Sequence, residues 1–187
     1  MYSPVAPFET RLITGEELLQ MGDIGPCELV EGRIVPMSPP GEEHGTIEFT
    51  LGGELRNFVR QHKLGRVMGG EVGIYIYRDP DTVRGADVVF IAKERMDKRP
   101  GKGYLEVAPD LVVEIISPND LWSEVNEKIE EYFTIGVERV WVGDPKTHTV
   151  RVYRTPTDVE RLNEKDVLYG EGVLVGFALP VAEIFAD

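Results

Sequence analysis

Leu111-Val112-Val113-Glu114-Ile115-Ile116-Ser117-Pro118 is the stretch whose reading decides the fold. A short, continuous apolar run reads as a strand covered on both faces, the habit of central strands in an α/β sheet. Alternation along the strand places Val112, Glu114 and Ile116 on one face. Glu114 interrupts the run, and an ionised carboxylate on a buried strand costs on the order of several kcal/mol unless a cation or donors compensate it. Glu114 therefore needs a partner, and the neighbouring segments indicate which partners the fold can supply.

Downstream of Pro118 the period becomes helical. Val125, Ile129 and Phe133 form one stripe, and Gly136 is placed to end the helix. Val140-Trp141-Val142 is then a second buried strand. The order strand, helix, strand predicts a βαβ unit with the usual right-handed crossover. Further on, Val150-Arg151-Val152-Tyr153 and Val173-Leu174-Val175 read as meandering strands, closed by a short tail over 182–185.

Upstream, Val88-Val89-Phe90-Ile91 is another central strand with Asp87 at its head, after a turn at Asp79-Pro80-Asp81. Residues 66–77 alternate Val72, Ile74 and Ile76 with smaller or polar residues, as a half-buried strand does, and Tyr75 and Tyr77 add β-propensity. Ile47, Leu51, Leu55, Phe58 and Val59 recur at helical spacing until Gly65. The Gly52-Gly53 pair inside that helix weakens it by roughly 1 kcal/mol per glycine, which suggests close packing on the sheet or a slight bend. Pro39-Pro40-Gly41 breaks the chain before it. Residues 27–37 read as a β-hairpin turning at Glu31-Gly32, and Thr14-Gly15-Glu16-Glu17 matches a capping box opening a short first helix. Between the two central strands, the charged stretch 93–104 with Pro100-Gly101 reads as an exposed loop of a length that suits a flap. The elements predict an α/β protein with a mixed sheet flanked by helices.

A chain of 187 residues with 42% hydrophobic content buries about two thirds of its unfolded surface in one core, which predicts a single domain over 1–187. No run of about 18 apolar residues could span a bilayer, and residues 1–10 lack the basic start and apolar stretch of a signal peptide. A cytoplasmic location is expected. The single Cys27 excludes an intramolecular disulfide and a Cys-based zinc site. The net charge of −13 weighs against a grip on phosphate backbones, which usually needs basic patches. Arg56, Arg60, Lys63 and Arg66 are either a local basic strip, pooled in a dimer, or a solvated helix end.

The chemistry centres on Glu114 and Asp87. If their strands pair, the two carboxylates sit close enough for repulsion to raise one pKa unless a metal lies between them. Oxygen-only ligation suits Mg²⁺ or Mn²⁺. In the structural alternative, Asp87 caps a turn after Gly85 and Glu114 pairs with a buried arginine. Lys128 flanks the apolar stripe of its helix, so its ammonium can reach back over the strand end to position water or stabilise charge on a phosphate. Its structural alternative is an ordinary surface pair with Glu124.

Asp87, then residues 114–118, then Lys128 with Tyr132, Gly136-Val137-Glu138 and residues 140–145, closely resemble the Uma-type family of restriction-endonuclease-like proteins within the PD-(D/E)xK superfamily. The match extends upstream through residues 28–32, Met37-Ser38-Pro39-Pro40, His44 and residues 70–73, and downstream to residues 176–180. The resemblance implies a restriction-endonuclease-like core with Asp87 and Glu114 as ligands of Mg²⁺ or Mn²⁺. Ala86 stands in place of the superfamily proline, and Ile116 in place of its lysine. The resemblance implies that the lysine's role has migrated to Lys128; if it has not, the catalytic group is missing. Glu28 and His44 match family positions and would form an outer rim, with His44 as a proton carrier or, equally, an exposed loop histidine. Tyr132 and Trp141 are assigned to packing. The implied function is a metal-dependent endonuclease that hydrolyses DNA phosphodiesters, working by analogy as a homodimer. One alternative is an inactive or regulatory binding module on the same fold; another is hydrolysis of a non-nucleic phosphoester at the same site.

Overall fold

The computed structural model describes residues 11–96 and 103–186. Helix α1 (Gly15–Gln20) opens with the expected capping box, Thr14 and Glu17 bonding reciprocally. Strands β1 (Cys27–Val30) and β2 (Arg33–Pro36) form the expected hairpin, turned by Glu31 and Gly32 at positive φ of 49° and 73°. Next come α2 (Glu42–His62), β3 (Gly65–Tyr77), β4 (Thr82–Ala92), α3 (Lys93–Met96), β5 (Leu111–Ile115), α4 (Trp122–Thr134) and β6 (Arg139–Asp144). The chain continues through β7 (Thr149–Tyr153), β8 (Val159–Leu162), β9 (Val167–Tyr169), β10 (Ala178–Pro180) and α5 (Val181–Ile184).

Eight strands form one mixed sheet in the order β2-β1-β4-β5-β6-β7-β8, with β3 also paired to β4. All of its neighbouring pairs run antiparallel except β5 and β6, joined by the expected strand, helix, strand unit through α4. Because β3 runs along β4 from Thr82 to Ala92, β1 and β5 must share the other edge of β4. The β1 pairing holds Val83 and the β5 pairing begins at Val88. The sheet therefore forks at residues 84–87.

Each face of the sheet carries a core. On one face, Ile47, Leu51, Leu55 and Val59 of α2 pack on Val88, Phe90, Val113, Ile115 and Trp141, joined by Leu168, Phe177 and Ile184 from the last elements. On the other, Val125, Ile129 and Tyr132 of α4 pack on Val89, Ile91, Val112, Val140 and Val142. Gly52 explains its place in a helix: a Cβ there would lie 3.2 Å from a Val88 methyl. Among the described residues no helix is long and apolar enough to cross a membrane.

Three expectations need correction. The strand carrying Asp87 is eleven residues long rather than four, so Asp87 sits inside it rather than at its head; polar residues 82–87 are buried because side chains elsewhere pair with them. Val173-Leu174-Val175 is a 3-10 turn over Gly172–Leu174, not a strand, bent by Gly172 and Gly176 at φ of 57° and 100°. The 93–104 stretch begins with α3, where Arg95 pairs with Asp110 and Glu138, and Tyr104 packs edge-on to Tyr75. Residues 97–102, the middle of the expected flap, lie outside the described residues.

Candidate active site

The fork leaves backbone groups of β4 facing a gap, and side chains fill it. Gly85 N–H donates to Glu28 Oε1 of β1 at 3.0 Å, and Lys128 Nζ donates to the Gly85 carbonyl at 3.0 Å. On the β5 side, Ile115 N–H donates to Asp87 Oδ2 at 2.6 Å. The β4·β5 register runs through Val88 opposite Val113, so the next position brings Asp87 level with Glu114. Both carboxylates thus belong to one locus.

Lys128 comes from α4, not from a strand. Its ammonium lies 3.1 Å from Glu28 Oε1 and 3.3 Å from Glu114 Oε1. One turn further along the same helix face, Tyr132 donates its hydroxyl to Glu114 Oε1 at 2.5 Å. Tyr132 is fully buried, so it packs as expected and also orients the carboxylate. Arg84 bonds Glu131 through two nitrogens, at 2.6 and 3.0 Å, and Glu28 Oε2 at 3.0 Å. This buried chain ties β1, β4 and α4 together, and a planar guanidinium suits such forked pairing better than an ammonium.

The third wall is the start of α2. His44 is buried with Nε2 3.3 Å from Asp87 Oδ2, which settles against the exposed-loop alternative. Glu48, one turn on, accepts from Gly70 N–H at 3.0 Å. One donor atom from each of His44, Glu48 and Asp87 lies within 4.8 Å of the others. Glu71, at positive φ in the irregular stretch of β3 between Gly69 and Val72, places Oε2 beside Gly85.

Negative charge dominates. Asp87, Glu114, Glu28, Glu48, Glu71 and Glu131 face Lys128 and Arg84, with His44 beside them. Burial pushes Glu114 up to about 8, with Asp87 raising it further against the pull of Lys128 and Tyr132. Burial also raises Glu71 and Glu48, and Asp87 adds to both. Burial alone would lower His44 and Lys128, but Asp87 raises the first and Glu114 with Glu28 the second, so both lie above their ordinary values and Lys128 keeps its ammonium. Carboxylates that burial and a neighbouring carboxylate push up in this way are eased by a divalent cation placed among them. The oxygen-rich donor set with one imidazole fits Mg²⁺ or Mn²⁺. His44 Nδ1 is buried without a hydrogen-bond partner among the described residues.

All five residues singled out from the sequence, Glu28, His44, Asp87, Glu114 and Lys128, meet at this gap. Lys128 pairs with Glu114 and Glu28 rather than with Glu124, and Glu114 with a lysine and a tyrosine rather than an arginine. The trio of His44, Glu48 and Asp87 does not include Glu114, whose Oε1 is engaged by Tyr132 and Lys128. Glu48, Arg84 and Glu131 went unread in the sequence, and Glu71 entered only within the matching stretch 70–73; Glu48 had a local signal, four residues after His44 on a helix. Arg56, Arg60 and Lys63 are exposed at the far end of α2, Arg60 about 24 Å along it from His44, so they form a solvated helix end away from the site, and Arg66, also exposed, lies on β3.

The geometry has counterparts. No curated protein matches the chain. The crystal structure of a putative nuclease belonging to DUF820 from Anabaena variabilis ATCC 29413 superposes with a TM-score of 0.78, covering 93% of this chain and 98% of that one at 22% identity. The fold is thus the expected restriction-endonuclease-like one, a central mixed sheet flanked by helices. The Uma2 family, described as putative restriction endonucleases, matches residues 16–182. With nearly the whole chain inside that match, the protein belongs to the Uma2 family.

Proposed function

We propose that this protein is a divalent-metal-dependent endonuclease that hydrolyses DNA phosphodiesters, with Asp87 and Glu114 as its principal metal ligands. The observation that carries the reading is Lys128: a lysine reaching from α4 to Glu114, beside Asp87, restores on a helix the group that Ile116 lacks on the strand.

Bound Mg²⁺ or Mn²⁺ would supply Lewis-acid polarisation of the phosphate and a more acidic water. The chain's own residues do the rest. Asp87 and Glu114 hold the ion from two strands, with His44 and Glu48 on the α2 side completing or bracing the donor set. Tyr132 fixes the orientation of Glu114. Lys128, held protonated by Glu114 and Glu28, offers its ammonium to the charge that develops on the phosphate oxygens. Glu28, fixed by Arg84, keeps that ammonium in place. Cutting both strands of a duplex calls for two such sites, which a twofold homodimer supplies.

The competing reading is a binding module on the same fold, and one observation favours it: Lys128 is already engaged by Gly85, Glu28 and Glu114. The test is incubation with supercoiled plasmid and with single-stranded DNA in Mn²⁺. Cleavage is expected from the wild type, absent in Asp87→Ala, and at least about a hundredfold slower in Lys128→Met. Undiminished cleavage by an Asp87→Ala, Glu114→Ala double variant overturns the nuclease reading. Absence of both cleavage and Mn²⁺ binding heat in the wild type hands the fold to the binding module.

A further inference from the structure

The face of the sheet that carries Glu114 continues sideways into an arrangement the nuclease chemistry does not use. Glu114 stands opposite Val142 on β6, Val142 opposite Arg151 on β7, and Arg151 opposite Arg161 on β8. Directly paired residues on adjacent strands share a face, so Glu114, Arg151 and Arg161 lie in one row. At about 4.8 Å per strand, Arg151 is about 10 Å and Arg161 about 14 Å from Glu114.

Two like charges directly opposite each other on paired strands destabilise a sheet, and in a chain with 33 acidic and 20 basic residues a carboxylate neighbour would be easy to provide. Among the described residues Arg151 Nη1 is buried without a hydrogen-bond partner, and it meets a carboxylate, Asp144 Oδ2, only as a long ion pair at 4.0 Å. Arg161 is exposed, and among the described residues no carboxylate lies within ion-pair distance of it. Trp122, the first residue of α4, lays its ring 4.0 Å from the Arg151 guanidinium carbon, a cation–π contact that fixes the guanidinium's plane. By contrast Arg154, whose position alternates to the other face, is fully paired with Glu160 and Glu171.

We propose that Arg151 and Arg161 bind a backbone phosphate of the DNA strand flanking the scissile one, with Trp122 orienting Arg151. A phosphate between two guanidiniums removes their repulsion and takes forked hydrogen bonds from both. It also gives a strongly acidic protein a local cationic track leading to Glu114. The inference rests on the nuclease reading and deepens it by locating the path of the substrate strand.

The test is equilibrium binding of a short fluorescein-labelled single-stranded DNA in Ca²⁺, titrated over KCl, alongside Mn²⁺-dependent cleavage of the same strand. Arg151→Gln, Arg161→Gln is expected to bind about tenfold or more weakly, with a salt slope shallower by about 0.7 for each phosphate charge no longer neutralised. Arg161→Gln, at an exposed position that leaves folding intact, should show part of the same weakening. The Arg151→Lys, Arg161→Lys pair should recover the salt slope through its retained charge but only part of the affinity, since an ammonium cannot make the forked bonds, a split that a merely structural role would not predict. Arg56→Gln, Arg60→Gln, with the same change in charge at the far end of α2, should match wild type. A wild type that cleaves while the glutamine pair binds with unchanged affinity and slope overturns the track and spares the nuclease. A wild type that neither binds nor cleaves overturns both.

Discussion

Glu114 is the residue on which most of the chemistry turns. Its carboxyl has an ordinary pKa of 4.5 and is pushed up to about 8 by burial. Between those values the folded protein holds a proton that the unfolded chain releases, so stability is fully present below about 4.5 and is lost as pH rises toward 8. Glu114→Gln removes the dependence. In EDTA, thermal midpoints of the variant should gain on those of the wild type as pH climbs through that window, then run parallel above it; parallel curves throughout would refute the assignment. Tyr132→Phe deletes the hydroxyl that donates to Glu114 and should move the acid limb of any Mn²⁺-dependent activity to higher pH, since one of the groups favouring the carboxylate is gone. Among residues, the sequence was legible where a charge broke an apolar pattern, as Glu114 does, or where a resemblance marked the position, as for Asp87, Lys128, Glu28 and His44. Arg84 and Glu131 were illegible because their partners are distant in sequence, each other 47 positions away and, for Arg84, Glu28 56 positions away.

At the scale of elements, α2 is the support for one wall of the site and one core. Its two adjacent glycines look alike in sequence and differ in space. A Cβ on Gly52 would press on Val88, whereas nothing lies within 4 Å of one on Gly53. Gly53→Ala should therefore stabilise by about 0.5–1 kcal/mol through helix propensity alone, and Gly52→Leu should destabilise by about 1–3 kcal/mol through overpacking. Urea denaturation of the two variants measures both, and equal effects would refute the packing account. Helices α1, α2 and α4 and the apolar strands were legible because their periods are local. The first half of β4 was not, since Thr82-Val83-Arg84-Gly85-Ala86 is buried only where Glu28, Glu131 and Asp87's neighbours meet it. Nor was the 3-10 turn at residues 172–174, whose apolar residues mimic a strand until the flanking glycines bend it.

For the whole molecule, a net charge of −13 means that the folded state works against its own repulsion, most strongly around the fork. MgCl₂ should raise the thermal midpoint by more than KCl of equal ionic strength, because a bound ion adds linkage to screening. Asp87→Ala should reduce the two salts to the same effect, and a residual magnesium advantage in that variant would place the ion elsewhere. The forked sheet carries one more consequence. Gly85 and Ile115 hold their amide protons on carboxylates, while Val88, Val89 and Phe90 lie in an ordinary ladder between strands. A divalent ion that draws the Asp87 oxygens toward itself must loosen the Ile115 amide and leave the Gly85 amide and the ladder untouched. Deuterium uptake at Ile115, read against Gly85, is then an isotopic gauge of site occupancy, built into the chain and readable without substrate, label or turnover.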